Sequence, residues 1–175
     1  HLMGIALDFD VGDIDGEMGW TISASSDTAT IAATHRNSVP LKLFKHTRGF
    51  WKETPWDVSL PNEVLPSLNR YVNDLALSAD GKILALSTFA GNTLEGRSKN
   101  IVYVYEFNGS EWILLGEPIY FYNDPSANKQ IVLADDGLTF ATVSGDTSNR
   151  YGAEVYRNVY GIWQKVGESV FREGV

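Results

Sequence analysis

Three stretches of this chain are variants of one pattern, and a repeat of about fifty residues constrains its fold more than any other feature. They read WTISASSDTATIAATH, NDLALSADGKILALST and KQIVLADDGLTFATVS, centred on Asp27, Asp80 and Asp136. Apolar residues stand five places before each Asp (Ile22, Leu75, Ile131) and three before (Ala24, Leu77, Leu133), and an alanine stands five after (Ala32, Ala85, Ala141). Alternation with a period of two, broken at Asp-Thr or Asp-Gly, predicts two short strands joined by a tight hairpin. A second signature follows in each copy: LKLFKHTRGFW, VYVYEFNGSEW and AEVYRNVYGIW. An aromatic residue (Phe44, Tyr105, Tyr156) precedes a tryptophan (Trp51, Trp112, Trp163) by seven places, with a glycine between them. This predicts a second hairpin, hence four strands per copy.

The copies run over about 19–67, 70–123 and 128–175 of a single domain, and 1–18 read as the tail strand of a preceding unit. The slack between copies falls in FAGNTLEGRSKN (Phe89 to Asn100) and GDTSNRYG (Gly145 to Gly152), rich in the small polar residues of surface connections. One tryptophan per four-stranded antiparallel unit, at this period, is the pattern of a β-propeller blade. The motif Φ-x-Φ-x-x-D-G-x-x-Φ-A, followed by VYEFNGSEW and then Gly116 or Gly167, resembles a large group of uncharacterised β-propeller repeat proteins. They are loosely similar to integrin-type and WD40-type propellers. The resemblance covers nearly the whole chain. Asn73 to Gly116 matches best, whereas the first copy has Thr28 in place of the turn glycine and the third has Ala134 in place of the usual serine. It implies an all-β fold and says almost nothing of activity, since propellers carry both enzymes and scaffolds.

Propellers close with four to eight blades. Three blades imply a partial ring or half of a six-bladed assembly. The segment GESVFREGV after Trp163 aligns with GEPIYFYND after Trp112, as does GIALDFDVGD at the start. The chain is therefore expected to be cut from something longer, or to be completed by a protein partner or a second copy in a homodimer.

Composition excludes several classes. With 43% apolar and 21% charged residues the chain is globular, and no apolar run approaches the ~18 residues of a membrane-spanning helix. A net charge of −8 argues against nucleic acid, which needs a basic footprint. There is no cysteine, so neither a disulfide framework nor a thiolate site is available. Neither feature fixes a compartment.

The acidic stretch DFDVGDIDGE suggests a calcium loop through Asp8, Asp10, Asp13 and Asp15. Gly16 sets the register of such a loop, which then puts Val11 at the first ligand position and Ile22 at the twelfth, neither with a side-chain oxygen. The repeat alignment instead puts Asp8 and Asp10 where Tyr120 and Tyr122 stand, on a strand with one wet face. No cofactor is expected, with calcium the alternative.

Asp27, Asp80 and Asp136 share one hairpin turn, where Asp accepts local backbone N–H bonds, so they read as structural rather than as a glycosidase pair. The repeated tryptophans read as packing. Trp20 and Trp56 lack counterparts and are candidate contact residues. Arg36, Lys42, Lys45 and Arg48 form the one basic stretch, a candidate patch for an acidic partner. The reading is a non-catalytic scaffold that presents loops for protein–protein interaction. The alternatives are a carbohydrate-active hydrolase and a calcium-dependent carbohydrate or adhesion module.

Overall fold

A computed structural model describes residues 18–35, 41–54, 70–90, 99–122, 130–145 and 151–171. Among these, fourteen strands form three antiparallel sheets and no helix is present. The first sheet comprises β1 (Met18–Ala24), β2 (Thr30–His35), β3 (Lys42–Thr47) and β4 (Phe50–Thr54) in sequential order. The middle sheet comprises β5 (Arg70–Leu77), β6 (Ile83–Ala90), β7 (Lys99–Phe107), β8 (Trp112–Leu114) and β9 (Ile119–Tyr122). The third comprises β10 (Ile131–Leu133), β11 (Thr139–Gly145), β12 (Tyr151–Val159), β13 (Ile162–Lys165) and β14 (Val170–Phe171).

The repeat fixes the register in every copy. Ala24 pairs with Ile31, Leu77 with Leu84 and Leu133 with Phe140, each three places before and four after the turn Asp. In the second hairpins Phe44 pairs with Glu53, Tyr105 with Leu114 and Tyr156 with Lys165. Four strands per copy were expected, but the middle and third sheets each have a fifth, because the segment after the tryptophan continues the fourth-strand edge: β8 covers Tyr105–Phe107 of β7, and β9 covers Lys99–Val102 along the same edge. Leu115 bridges the halves by donating its N–H to the Val104 carbonyl at 2.7 Å, and Gly116 turns the chain with φ +78°. Val166 and Gly167 repeat the device beside β14.

The two loops assigned to the slack are also shorter than the sequence suggested. Ala90 pairs with Lys99 and Gly145 with Tyr151, so the ladders run almost to the connections.

The sheets stack face to face, with β5 packed between β1 and β10. Leu75, Leu84, Leu86, Ile101, Tyr103, Tyr105 and Trp112 of the middle sheet form one core with Ala32, Leu41 and Leu43 of the first. The opposite face of the middle sheet, through Ala76, Ile83, Ala85, Val102, Val104 and Phe121, forms a second core with Ile131, Phe140 and the partly buried Tyr156 and Trp163. Alternating strand residues thus fill both cores, which is why the middle copy is the most apolar of the three. Tyr120, expected on a wet face, packs against the first core, because a sheet stands on that side as well.

Glycines permit the close approach. A Cβ on Gly81 would fall 2.6 Å from Thr30 Oγ1, one on Gly137 2.5 Å from Ile83, and one on Gly116 2.5 Å from the Gly161 carbonyl. Turn backbones also bond across the sheets: Asp27 N–H donates to the Ala79 carbonyl, and Ala79 N–H to that of Asp135.

Candidate functional site

The three turn aspartates behave alike, as expected of a structural role. Each accepts the N–H two residues on, at 2.9 Å from Ala29, 3.0 Å from Lys82 and 2.8 Å from Leu138. Ser25 and Ser78 add hydroxyl bonds in the first two turns. The Ser25 hydroxyl and the Ala29 amide hold Asp27 below the usual carboxylate pKa. At Asp80 partial burial opposes ionisation, but the Lys82 amide and the Ser78 hydroxyl outweigh it and the pKa is again lowered.

Between the first and middle sheets lies a two-lobed groove. Its inner lobe, about 200 Å³, is walled by Leu43, Phe107 and Trp112, with Thr30, Thr54 and Ser110 supplying hydroxyls. Its outer lobe, about 320 Å³, is lined by Asp27, Asp80, Lys82, Asn108 and Gly109. Thr30, Lys45 and Phe107 line both lobes and form the neck. There the Lys45 ammonium sits 4.5 Å from the centroid of the Phe107 ring, a cation–π contact.

The groove exists because the two interfaces are filled differently. Ile83 stands where the first sheet has Thr30, and Leu115 where it has Thr54. Ile83 belongs to the closed core against the third sheet, and Leu115 packs on that core. Two shorter, polar side chains leave the corresponding space between the first and middle sheets open. Three places after each Asp the copies read Thr30, Ile83 and Thr139, and three after each Trp they read Thr54, Leu115 and Val166, a contrast that was not recognised as a site.

Of the residues singled out from sequence, Lys45 lines the groove. Lys42 does not join it. It lies on the other face of the same strand and pairs with Glu53 at 3.3 Å, because residues three apart on a strand point to opposite sides. Arg48 occupies the β3–β4 turn with φ +53° and is exposed. The proposed basic patch is therefore divided. Trp20 lies on β1, but its side chain is outside the described residues, as are Arg36, Trp56, Asp8, Asp10, Asp13 and Asp15. No group of three or more potential metal ligands occurs among the described residues.

Two carboxylates depart from the repeat and were missed. Asp74, aligned with Thr21 and Gln130, accepts from Thr21 Oγ1 at 2.8 Å, the Ile131 N–H at 2.9 Å and its neighbour Leu75 N–H at 2.9 Å. It clasps the first strands of all three sheets. Glu154 accepts from Tyr156 OH at 2.8 Å, Lys165 Nζ at 2.9 Å and Ser169 Oγ at 2.7 Å. Burial alone would raise its pKa, but these three bonds and the lysine charge hold it at about 2.

No family model and no curated protein matches the sequence. Among solved structures, the chain is similar to a protein of Bacteroides fragilis NCTC 9343 provisionally named a 6-phosphogluconolactonase. The TM-score is 0.56 at 13% identity, over 86% of this chain and 38% of that one. The chain spans less than half the length of that structure.

Proposed function

We propose that the three sheets are consecutive blades of a β-propeller, and that the chain is a non-catalytic binding module whose third sheet receives a protein partner. One observation carries this reading: the outer face of the third sheet repeats a face that is buried in the middle sheet. Val132 is 70% exposed where its counterpart Ala76 is 9% exposed. Val166 and Val170 are 50% and 69% exposed, whereas their counterparts Leu115 and Ile119 pack against the second core. Taking each such valine out of water is worth roughly 1.5 kcal/mol or more.

The partner that fits is another sheet of this repeat, with glycine in its first turn. A head-to-tail ring of two copies would set Thr28 of one against Thr139 of the other, equivalent to a side chain on Gly137 against Ile83, where a Cβ has 2.5 Å. The fold likeness to a chain more than twice as long favours further sheets as the natural neighbours.

Light scattering on a sizing column, together with binding of an apolar dye, tests the reading. A monomeric chain that binds the dye is expected for the wild type, with dye binding lost in Val166→Asp and Val170→Asp and little change in melting temperature. A chain that binds no dye, or that closes into a dimer through this face, would overturn it. The likeness to a 6-phosphogluconolactonase favours a second reading, lactone hydrolysis, and hydrolysis of 6-phosphogluconolactone no faster than in buffer removes it. A calcium-dependent adhesion role would show as a calcium-induced rise in melting temperature.

A further inference from the structure

The groove between the first and middle sheets is a different surface from the open face of the third, and it has its own chemistry. We infer that it is a binding site for a free α-amino acid with an apolar side chain. The inner lobe is small, below the ~300 Å³ at which drug-sized pockets begin, and its walls are Leu43, Phe107 and Trp112. That suits one branched or aromatic side chain. The neck carries the Lys45 ammonium and the outer lobe carries Lys82, two cations for a carboxylate. The same lobe carries Asp27 and Asp80, close enough that the Asp80 carboxylate disfavours charge on Asp27, yet both are held ionised by their turn hydrogen bonds. Two fixed negative charges side by side favour an ammonium. The Lys82–Asp80 contact, 3.7 Å and well exposed, is weak enough to yield to a ligand.

A ligand with charge of both signs beside a compact apolar body satisfies all of these groups together. A sugar acid would leave the paired aspartates without a cation, and an alkylamine would leave Lys45 without an anion.

The contrast between the two interfaces points the same way. Thr30 and Thr54 stand where the closed interface has Ile83 and Leu115, so the space is kept open by two residues that cost packing and supply hydroxyls. Installing the middle sheet's pair should fill it without unfolding the protein, because the adjoining interface already holds that pair.

The test is nuclear magnetic resonance titration of the full chain with L-phenylalanine and L-leucine, with L-phenylalaninamide and gluconate as comparisons. Saturable shifts of the Lys45, Lys82, Phe107 and Gly109 amides are expected for the two amino acids. The affinity should fall at least tenfold for the amide, which lacks the carboxylate, and likewise in Lys45→Met. Thr30→Ile/Thr54→Leu should keep a folded spectrum and lose the shifts. No shift at 10 mM amino acid (about the weakest affinity of interest), equal binding of the amide, or binding of gluconate in preference would each overturn the inference.

Discussion

The chain holds two interfaces of the same design, and they have been finished differently. Both place alternate residues of equivalent strands against each other, and both rely on turn glycines that leave no room for a Cβ. Between the middle and third sheets the space is closed by rings: Phe140 lies 5.2 Å from Tyr156 in a stacked pair and 5.1 Å from Trp163 edge-on, and Trp163 Nε1 donates to the Leu115 carbonyl at 2.7 Å. Between the first and middle sheets the inner strands carry side-chain bonds in addition to an apolar core, Thr21 to Asp74 and Leu77 N–H to Ser23 Oγ at 3.1 Å, and the outer half stays open. The inner half is held in both interfaces, and only between the first and middle sheets is the outer half left open.

The comparison is broken most severely by removing one ring from each interface. Phe140→Ala and Trp112→Ala should each cost about 3–5 kcal/mol in urea unfolding, since both side chains are buried. Amide exchange should then accelerate chiefly in the third sheet for the first variant and in the first sheet for the second, if stability is carried by neighbour contacts. Uniform acceleration would show that the three sheets open as one unit.

Glycine substitutions sharpen the contrast between stacking and turning. Gly116→Ala puts a Cβ against the Gly161 carbonyl and Trp163 at a left-handed φ of +78°, and should cost roughly 2 kcal/mol or more. Gly49 has a similar φ of +87° with nothing within 4 Å, so Gly49→Ala should cost only about 1 kcal/mol. Equal losses would mean that backbone strain alone sets the cost and that close stacking adds nothing.

A third contrast separates the outer sheets. The first sheet pairs Lys42 with Glu53 and the third pairs Glu154 with Lys165, the same positions with the charges exchanged. The first pair is exposed and worth little, ~0.5 kcal/mol. Glu154 is largely shielded and held at about 2, below the ordinary 4.5, so its contribution is present above about pH 4.5 and is lost as pH falls toward 2. Discounted for the partly exposed lysine, it is on the order of 2 kcal/mol. Unfolding midpoints of Glu154→Gln should be lower than wild type at pH 7 and converge with it at pH 2. Parallel curves would show that Glu154 does not titrate with folding.

The architecture was legible because it depends on features that recur: the Asp turns, the alternation around them, and the Trp seven residues after an aromatic. The site was not, because it depends on which residue each interface puts in the same place. Thr30 and Thr54 look like ordinary strand threonines until Ile83 and Leu115 are seen filling the same space elsewhere. Asp74 was overlooked for a related reason, since its partners Thr21 and Ile131 lie on other sheets, fifty or more residues away. Lys42 and Lys45 form one basic stretch along the chain, while the strand sends them to opposite faces.

The smallest expected effect addresses the turn that lost its glycine. Thr28 holds φ +56°, the left-handed conformation that Gly81 and Gly137 adopt at +66° and +72°, and a β-branched residue is strained there. Thr28→Gly relieves that strain but adds freedom to the unfolded chain, so the net gain should be about 0.5 kcal/mol in urea unfolding. The reverse changes are not symmetrical. Threonine at position 81 would meet Thr30 and Ser25, and at position 137 it would meet Ile83, so either should cost several times what Thr28→Gly gains. Comparable magnitudes in the two directions would assign the glycines to the hairpin turn alone. The expected asymmetry assigns them to the approach of one sheet to the next, and it explains why threonine is tolerated at the one first-hairpin turn that has no preceding sheet among the described residues.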